Sequence, residues 1–324
     1  MSEYDPVPIF PIEPALDCWY LSGPTASGKS ATGLELARRL DAEIISLDSM
    51  ALFIGMDIGT AKPTLEERQL IPHHLLDIIT PNQDFSLASY LEAAHAKIRD
   101  IRGRGKNVLF VGGTPLYLKS LLRGIYQGPP ADWEFRREVE REAQEVGVAA
   151  LHERLSLVDP LAAAKLHPND HRRIIRALEV YKLTGRPISH LQMQFEEGHA
   201  AEDCKVFVLE WPRADLHRRI EERVDKMFAA GLVDEVRGLV AKFGDFSRTA
   251  AQAVGYGEVL AHLRGEQGLP ETIEMVQART RQFARRQETW FRSLSECRRM
   301  SQQEGITPAE NAEKILAIGN GEPA

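Results

Sequence analysis

Eight consecutive residues, Gly23-Pro24-Thr25-Ala26-Ser27-Gly28-Lys29-Ser30, fit the pattern G-x-x-x-x-G-K-[ST] in full. Glycines let the backbone curl until successive N–H groups face one anion, and a helix beginning at Lys29 adds the positive end of its dipole. Lys29 brings a point charge to phosphate oxygens, and the Ser30 hydroxyl suits Mg²⁺ carried on a phosphate. The pattern defines a phosphate site and leaves the reaction open. A P-loop NTPase also carries an apolar strand ending in an acid that helps to hold Mg²⁺. Here the apolar run 108–111 ends in Gly112-Gly113-Thr114, with no acid. The acid that directly follows a short apolar run is Asp48, after residues 44–47. A carboxylate there stands at the carboxyl ends of the strands, where open α/β sheets bind ligands. It can hold a metal, take a proton from a nucleophile, or cap a helix.

The phosphate loop needs a strand before it and a helix after it. Residues 18–21 form a short apolar run bounded by Ser22-Gly23-Pro24, which predicts a buried strand. From Lys29 the pattern turns helical, with Leu34, Ala37 and Leu40 on one face. Residues 44–47, 108–111 and 206–209 read as further strands. Strands alternating with helices imply an α/β fold with a parallel sheet.

Between about 132 and 197 the strand signals vanish, and 136–146, 149–157 and 170–184 read as helices, the last ended by Gly185-Arg186-Pro187. Helices return at 214–229, 232–242, 257–264 and 271–294. Residues 1–17 hold Pro6, Pro8, Pro11 and Pro14 with four acids, and read as an irregular extension. The expected organisation is therefore a P-loop NTPase-like α/β core over 18–130 and 203–300. An all-helical insertion domain spans 131–202, the C-terminal part of the core is helical, and 301–324 is a tail with one short helix at 308–318.

The chain has 324 residues, 43% of them hydrophobic and 27% charged, which suits a soluble globular protein. No apolar run approaches the roughly 20 residues that span a bilayer, and no basic segment leads an apolar one at the N-terminus. Cys18, Cys204 and Cys297 are far apart and give neither a metal spacing nor a disulfide framework, as expected of free thiols in a reducing cytoplasm. The histidines, His73, His74, His167 and His171 among them, are not at metal-site spacings. A net charge of −7 argues against nucleic-acid binding on average. The charge is segregated, however: from Arg279 to Met300 there are seven arginines and two glutamates, a local +5. On the helix there, Phe283, Gln287, Trp290 and Leu294 are expected to face the core, with Arg281, Arg285 and Arg292 on another face. Arg172, Arg173 and Arg176 share a second basic helix.

Three more segments narrow the reading. Asp48-Ser49-Met50 leads into Gly55-Met56-Asp57-Ile58-Gly59-Thr60-Ala61-Lys62-Pro63; Val111-Gly112-Gly113-Thr114 continues to Leu116-Tyr117; His167-Pro168-Asn169-Asp170 precedes Arg172-Arg173 and Arg176-Ala177-Leu178-Glu179. Together with the P-loop these resemble the tRNA dimethylallyltransferases, in order from about Tyr20 to Arg292. The resemblance implies that Gly23 to Ser30, Lys29 above all, hold the diphosphate of dimethylallyl diphosphate. It implies Asp48 as the general base on an adenine N6 amine and Thr114 at the reacting centre. It implies tRNA contacts at Asp48, Ser49, Met50, Ala51 and Thr114. Further contacts are implied at Arg136, at His171, Arg172, Arg173, Ile174 and Ile175, at Gln252, Ala253, Val254, Gly255, Tyr256 and Gly257, and at Arg279, Arg281 and Gln282. The implied reaction is prenyl transfer to N6 of adenosine 37 in the anticodon stem-loop of tRNAs reading codons that begin with U. The implied enzyme is a cytoplasmic monomer using Mg²⁺.

Where that family commonly reads DSMQVYRG, this chain has Ala51 without an amide and Ile54 without a charge, and Gly257 replaces a usual cation. These departures spare Lys29, Ser30, Asp48 and Thr114 and bear on RNA affinity, since each lost phosphate contact weakens salt-dependent binding. Three rival readings are a P-loop small-molecule kinase, a prenyltransferase acting on AMP or ADP, and a catalytically silent RNA-binding homologue. The Gly55–Pro63 string and an arginine-rich helical insertion are foreign to the first, the extended arginine-rich C-terminal half argues against the second, and intact Lys29, Ser30, Asp48 and Thr114 argue against the third.

Overall fold

A computed structural model describes residues 11–126, 128–192, 195 and 197–321. Its elements are, in chain order, β1 (Pro11–Ile12), β2 (Trp19–Ser22), α1 (Lys29–Leu40), β3 (Ala42–Ser46), α2 (Leu65–Leu70), β4 (His73–His74), α3 (Leu87–Gly103), β5 (Asn107–Val111), α4 (Pro115–Arg123) and β6 (Ile125–Tyr126). Then come α5 (Trp133–Val146), α6 (Val148–Val158), α7 (Pro160–Lys165), α8 (His171–Thr184) and α9 (Ile188–Leu191). The chain finishes with β7 (Lys205–Glu210), α10 (Arg213–Ala229), α11 (Leu232–Phe243), α12 (Tyr256–Leu263), α13 (Leu269–Arg292), β8 (Cys297–Ser301) and α14 (Pro308–Gly319). The chain divides into two compact units, 15–122 with 198–321 and, of the remaining described residues, 11–14 with 123–197.

The larger unit is built on a parallel sheet of order β4-β3-β5-β2-β7-β8. Tyr20 on the central β2 lies opposite Phe110 of β5 and Val206 of β7. Both faces of such a sheet are covered, so β2 and β3 are buried along their whole length, Ser22, Glu43 and Ser46 included. One face takes α1 and α14: Trp19, Leu36, Ala37, Ala312 and Ile315 share one core cluster. The helix expected at 308–318 is present as α14, but it packs into the core and is not a separate tail. Ser301 ends a sheet strand, and α14, started by a Thr307–Glu310 capping box, buries Ala312 and Ile315 completely. The edge strands β4 and β8 went unpredicted; one is two residues long, and the other reads Cys-Arg-Arg-Met-Ser, with no alternation.

In the smaller unit, Phe135, Val139, Leu151, Leu155, Ile174 and Leu178 from α5, α6 and α8 make a separate core. α8 ends at Gly185 in the left-handed conformation, as the Gly-Arg-Pro signal predicts. Two differences from the expected all-helical insertion appear. The unit includes a two-stranded antiparallel ladder, Ile12 opposite Ile125, and its longer segment begins at 123 instead of 131. That ladder also draws in part of the supposed irregular extension, of which residues 1–10 lie outside the described residues. Among the described residues no helix is long and apolar enough to cross a membrane.

Candidate active site

The phosphate loop leaves β2 at Ser22 and enters α1 through Gly28, whose φ of 93° lies in the left-handed region. Ala26 is left-handed as well, at φ 63°. The loop's carbonyls are taken up by donors from within it and from α10 and the turn before it. Lys29 Nζ donates to Pro24 O at 2.6 Å, Arg219 Nε to Ala26 O at 2.8 Å, and the buried Trp211 Nε1 to Ser27 O at 2.9 Å. From α13, buried Gln287 accepts the Thr25 N–H at 2.9 Å through Oε1 and donates through Nε2 to Gly113 O at 2.5 Å. One amide side chain therefore ties the phosphate loop to the Gly112-Gly113-Thr114 turn.

That turn is locked to the turn after β3. Leu47 N–H donates to Val111 O and Thr114 N–H to Leu47 O, at 2.9 and 3.1 Å. A Cβ on Gly112 would lie 2.2 Å from Leu47 O, so only glycine permits this approach. Ser49 N–H donates to Thr114 Oγ1 at 3.0 Å. Asp48 Oδ1 accepts from Met50 N–H at 2.8 Å and from Ala51 N–H at 3.4 Å, which fixes the carboxylate as a turn cap. Part of the helix-cap alternative thus holds, although no α-helix starts there.

Loop and turns enclose a cavity of about 360 Å³ lined by Lys29, Asp48, Thr114 and, from α10, Arg223. Burial pushes the Lys29 ammonium down to about 7; the nearby Arg223 charge acts in the same direction and Asp48 opposes both. Burial likewise lowers Arg223, with Asp48 again opposing. Two cations and one carboxylate in a small space suit a ligand with concentrated negative charge. A second cavity of about 1050 Å³ shares Ala26, Gly28, Lys62, Arg223 and Met227 with the first.

The Gly55–Pro63 string is explained by one carboxylate and one ammonium. Glu235 of α11 accepts from the N–H groups of Asp57, Ile58 and Gly59 at 3.1, 2.7 and 3.4 Å, and from the Tyr256 hydroxyl at 2.6 Å. A Cβ on Gly59 would sit 2.4 Å from the Tyr256 ring. Lys62, 1% exposed, pairs with Asp57 at 2.9 Å and Asp77 at 2.6 Å. Met56 is fully buried. The string is thus a structural wall of both cavities.

Of the residues expected in the site, Thr25 to Ser30, Asp48, Ser49, Met50, Ala51, Thr114 and Gln252 to Tyr256 line the 360 Å³ cavity. Ser30 is exposed in the first turn of α1. Tyr256 is fully buried with its hydroxyl on Glu235, and Ala253 is 5% exposed, so neither offers RNA a side chain. Arg279 pairs with buried Glu258 at 2.6 Å and Arg281 with Glu221 at 2.8 Å, while Gln282 is exposed. In the smaller unit His171, Arg172 and Arg173 are exposed at the start of α8. Ile174 and Ile175 are core residues there, a correction that follows from the helix turning them inward. Arg136 lies on buried Glu179 through two 2.8 Å bonds, beside Arg176.

The face of α13 is also corrected. Its buried residues are Thr272, Val276, Thr280, Ala284, Gln287 and Phe291; Gln287 and the following Leu294 are buried as expected, whereas Phe283 is exposed at the cavity and Trp290 is half-buried. Arg223, Arg219 and Trp211 carry no local signal in the sequence; Gln287 is buried as expected but serves the phosphate loop. A glutamine on an otherwise apolar stripe was the one available signal.

Comparison with known proteins adds the following. The family model described as IPP transferase matches residues 51–294. The tRNA dimethylallyltransferase of Rhodopirellula baltica is 50% identical over 290 residues, covering 87% of each chain. That of Geobacter metallireducens is 50% identical over 280 residues, 85% of this chain and 89% of that one. Among solved structures, the full-length tRNA isopentenylpyrophosphate transferase of Bacillus halodurans superposes with a TM-score of 0.67 at 38% identity, covering 94% of this chain and 95% of that one. A eukaryotic dimethylallyltransferase described as acting on tRNA superposes at 0.74 with 26% identity, covering 94% and 80%.

Proposed function

The chain belongs to the IPP transferase family, the tRNA dimethylallyltransferases, and from that premise we propose that it transfers a dimethylallyl group from dimethylallyl diphosphate to N6 of adenosine 37 in tRNAs reading codons that begin with U. The observation that carries this reading is the meeting of a cationic phosphate loop and a fixed carboxylate in one cavity of about 360 Å³.

The allylic C–O bond breaks with its electron pair leaving on the diphosphate, and positive charge spreads over two carbons. Lys29, Arg223 and the loop amides stabilise the leaving group. The N6 lone pair, weakened by delocalisation into the ring, forms the new N–C bond, and its proton passes to Asp48. The two N–H bonds to Oδ1 keep that carboxylate in place while it acts. Thr114, tied to Ser49, shapes the wall against which the adenine lies. A target base reaches such a cavity only by leaving its stack, which costs least in a single-stranded loop.

Among the described residues no three His, Cys, Asp or Glu converge as metal ligands. The exposed Ser30 hydroxyl would hold Mg²⁺ carried on the diphosphate, and the ion would supply charge neutralisation on the leaving group. Exposed Gln252, Gln282, Arg285 and Arg286 in the larger unit, and His171 to Arg173 in the smaller, supply polar and basic surface for RNA. The enzyme acts as a cytoplasmic monomer in this reading.

The test is incubation with radiolabelled dimethylallyl diphosphate, Mg²⁺ and unmodified tRNA, with AMP in parallel. Label in tRNA that disappears when adenosine 37 is replaced is the expected result. Label in AMP alone, or in neither, defeats the proposal.

A further inference from the structure

The carbonyls of the phosphate loop are negative ends of dipoles, and a diphosphate tolerates them only if they point away. Ala26 O is held by Arg219 and Ser27 O by Trp211, at 2.8 and 2.9 Å. Because a trans peptide sets C=O and the next N–H antiparallel, fixing those two carbonyls also fixes the N–H of Gly28 and that of Ser27, the latter donating to Pro24 O at 3.3 Å. The two holders support each other, the Arg219 guanidinium lying 4.3 Å from the centroid of the Trp211 indole. Trp211 is 9% exposed, and its N–H is buried on its acceptor. Ala26 meanwhile occupies a left-handed conformation that alanine disfavours. Within the loop the Ser27 N–H closes a turn on Pro24 O at 3.3 Å, and from outside it Arg219 holds the Ala26 carbonyl.

We propose that Trp211 and Arg219 are positioning residues that set the phosphate loop in its anion-binding shape before the donor arrives. This rests on the functional reading only in taking the loop's ligand to be a diphosphate.

Trp211→Phe keeps the ring under Arg219 and deletes the N–H alone; Arg219→Met keeps an apolar stem and removes donor and charge. Binding of inorganic diphosphate, measured by calorimetry, is expected to weaken about 3- to 10-fold for Trp211→Phe and at least tenfold for Arg219→Met. The KM for tRNA should stay at its wild-type value. Adding Ala26→Gly to Arg219→Met should recover part of the lost affinity, because glycine adopts the left-handed turn unaided. Wild-type diphosphate affinity in Trp211→Phe overturns the proposal. So does a parallel loss of diphosphate affinity, tRNA KM and melting temperature with no recovery in the double variant, which would mark a merely structural role. A protein that binds inorganic diphosphate in this Trp211-dependent way but prenylates no RNA would defeat the functional reading and leave this one standing.

Discussion

Lys29 is charged when it holds a diphosphate, yet burial and Arg223 bring it down to about 7 in the unliganded protein. Donor binding must therefore take up a proton above neutral pH. A lysine that titrates near 7 when free, and near its ordinary value of about 10.4 when covered by phosphate oxygens, loses affinity as pH rises through 7. From pH 7 to 9 the free protonated fraction falls from about one half to about one hundredth. Donor affinity should fall about 50-fold, or about 2.3 kcal/mol at 1.36 kcal/mol per pK unit. The window lies above the last phosphate ionisation near 6, so the ligand's own charge is nearly constant. Isothermal calorimetry with dimethylallyl diphosphate in buffers of different ionisation enthalpy reads both the affinity and the proton uptake, which should approach one at pH 8.5. Lys29→Arg, which cannot titrate here, should flatten the profile. Arg223→Met, by removing a repelling charge, should move the fall to higher pH. The sign for stability follows: this folded pKa lies below the unfolded one, so the unliganded fold gains stability as pH rises from 7 towards 10. A flat wild-type profile from pH 7 to 9, or the same slope in Lys29→Arg, refutes the reasoning.

Asp48→Asn keeps an acceptor for Met50 N–H and should lower single-turnover transfer by about 10²- to 10⁴-fold, with donor affinity within a few-fold of wild type; near-normal transfer removes Asp48 as the base. Glu235→Gln exchanges a carboxylate that serves three backbone N–H groups and a tyrosine for a weaker acceptor. It should cost about 1–3 kcal/mol, seen as a melting temperature lower by roughly 2–4 °C per kcal/mol. Gln287→Leu leaves the buried Thr25 N–H and Gly113 carbonyl without their partner and should raise the donor KM roughly tenfold while lowering kcat, which steady-state kinetics with saturating tRNA will separate.

What was legible in the sequence was local. The P-loop octapeptide, the Asp48 turn and Gly112-Gly113-Thr114 each carry their meaning within a few residues, because a curled backbone or a strand end needs particular neighbours. The Gly55–Pro63 string marked the family, but its physical reason lies in Glu235 and Tyr256, nearly 200 residues away. Arg223 looked like any arginine on an amphipathic helix, and only the fold turns it into the cavity with Lys29. The α13 stripe was misplaced because Phe283 outranks Thr280 in hydrophobicity, whereas the helix buries Thr280 and Ala284 to come close to its neighbours. β8 gave no strand signal because three of its five positions are polar and it gains its place by pairing with β7.

The strand that carries the phosphate loop is flanked on one side by β5 and on the other by β7, which is made some 180 residues later. The loop's holders come later still: Trp211, Arg219 and finally Gln287. A ribosome thus emits the loop almost at the outset and supplies its last fastening almost at the end. A nascent chain that stalls before residue 287 therefore carries the whole phosphate motif without the partner of Thr25, and its donor site is unfinished.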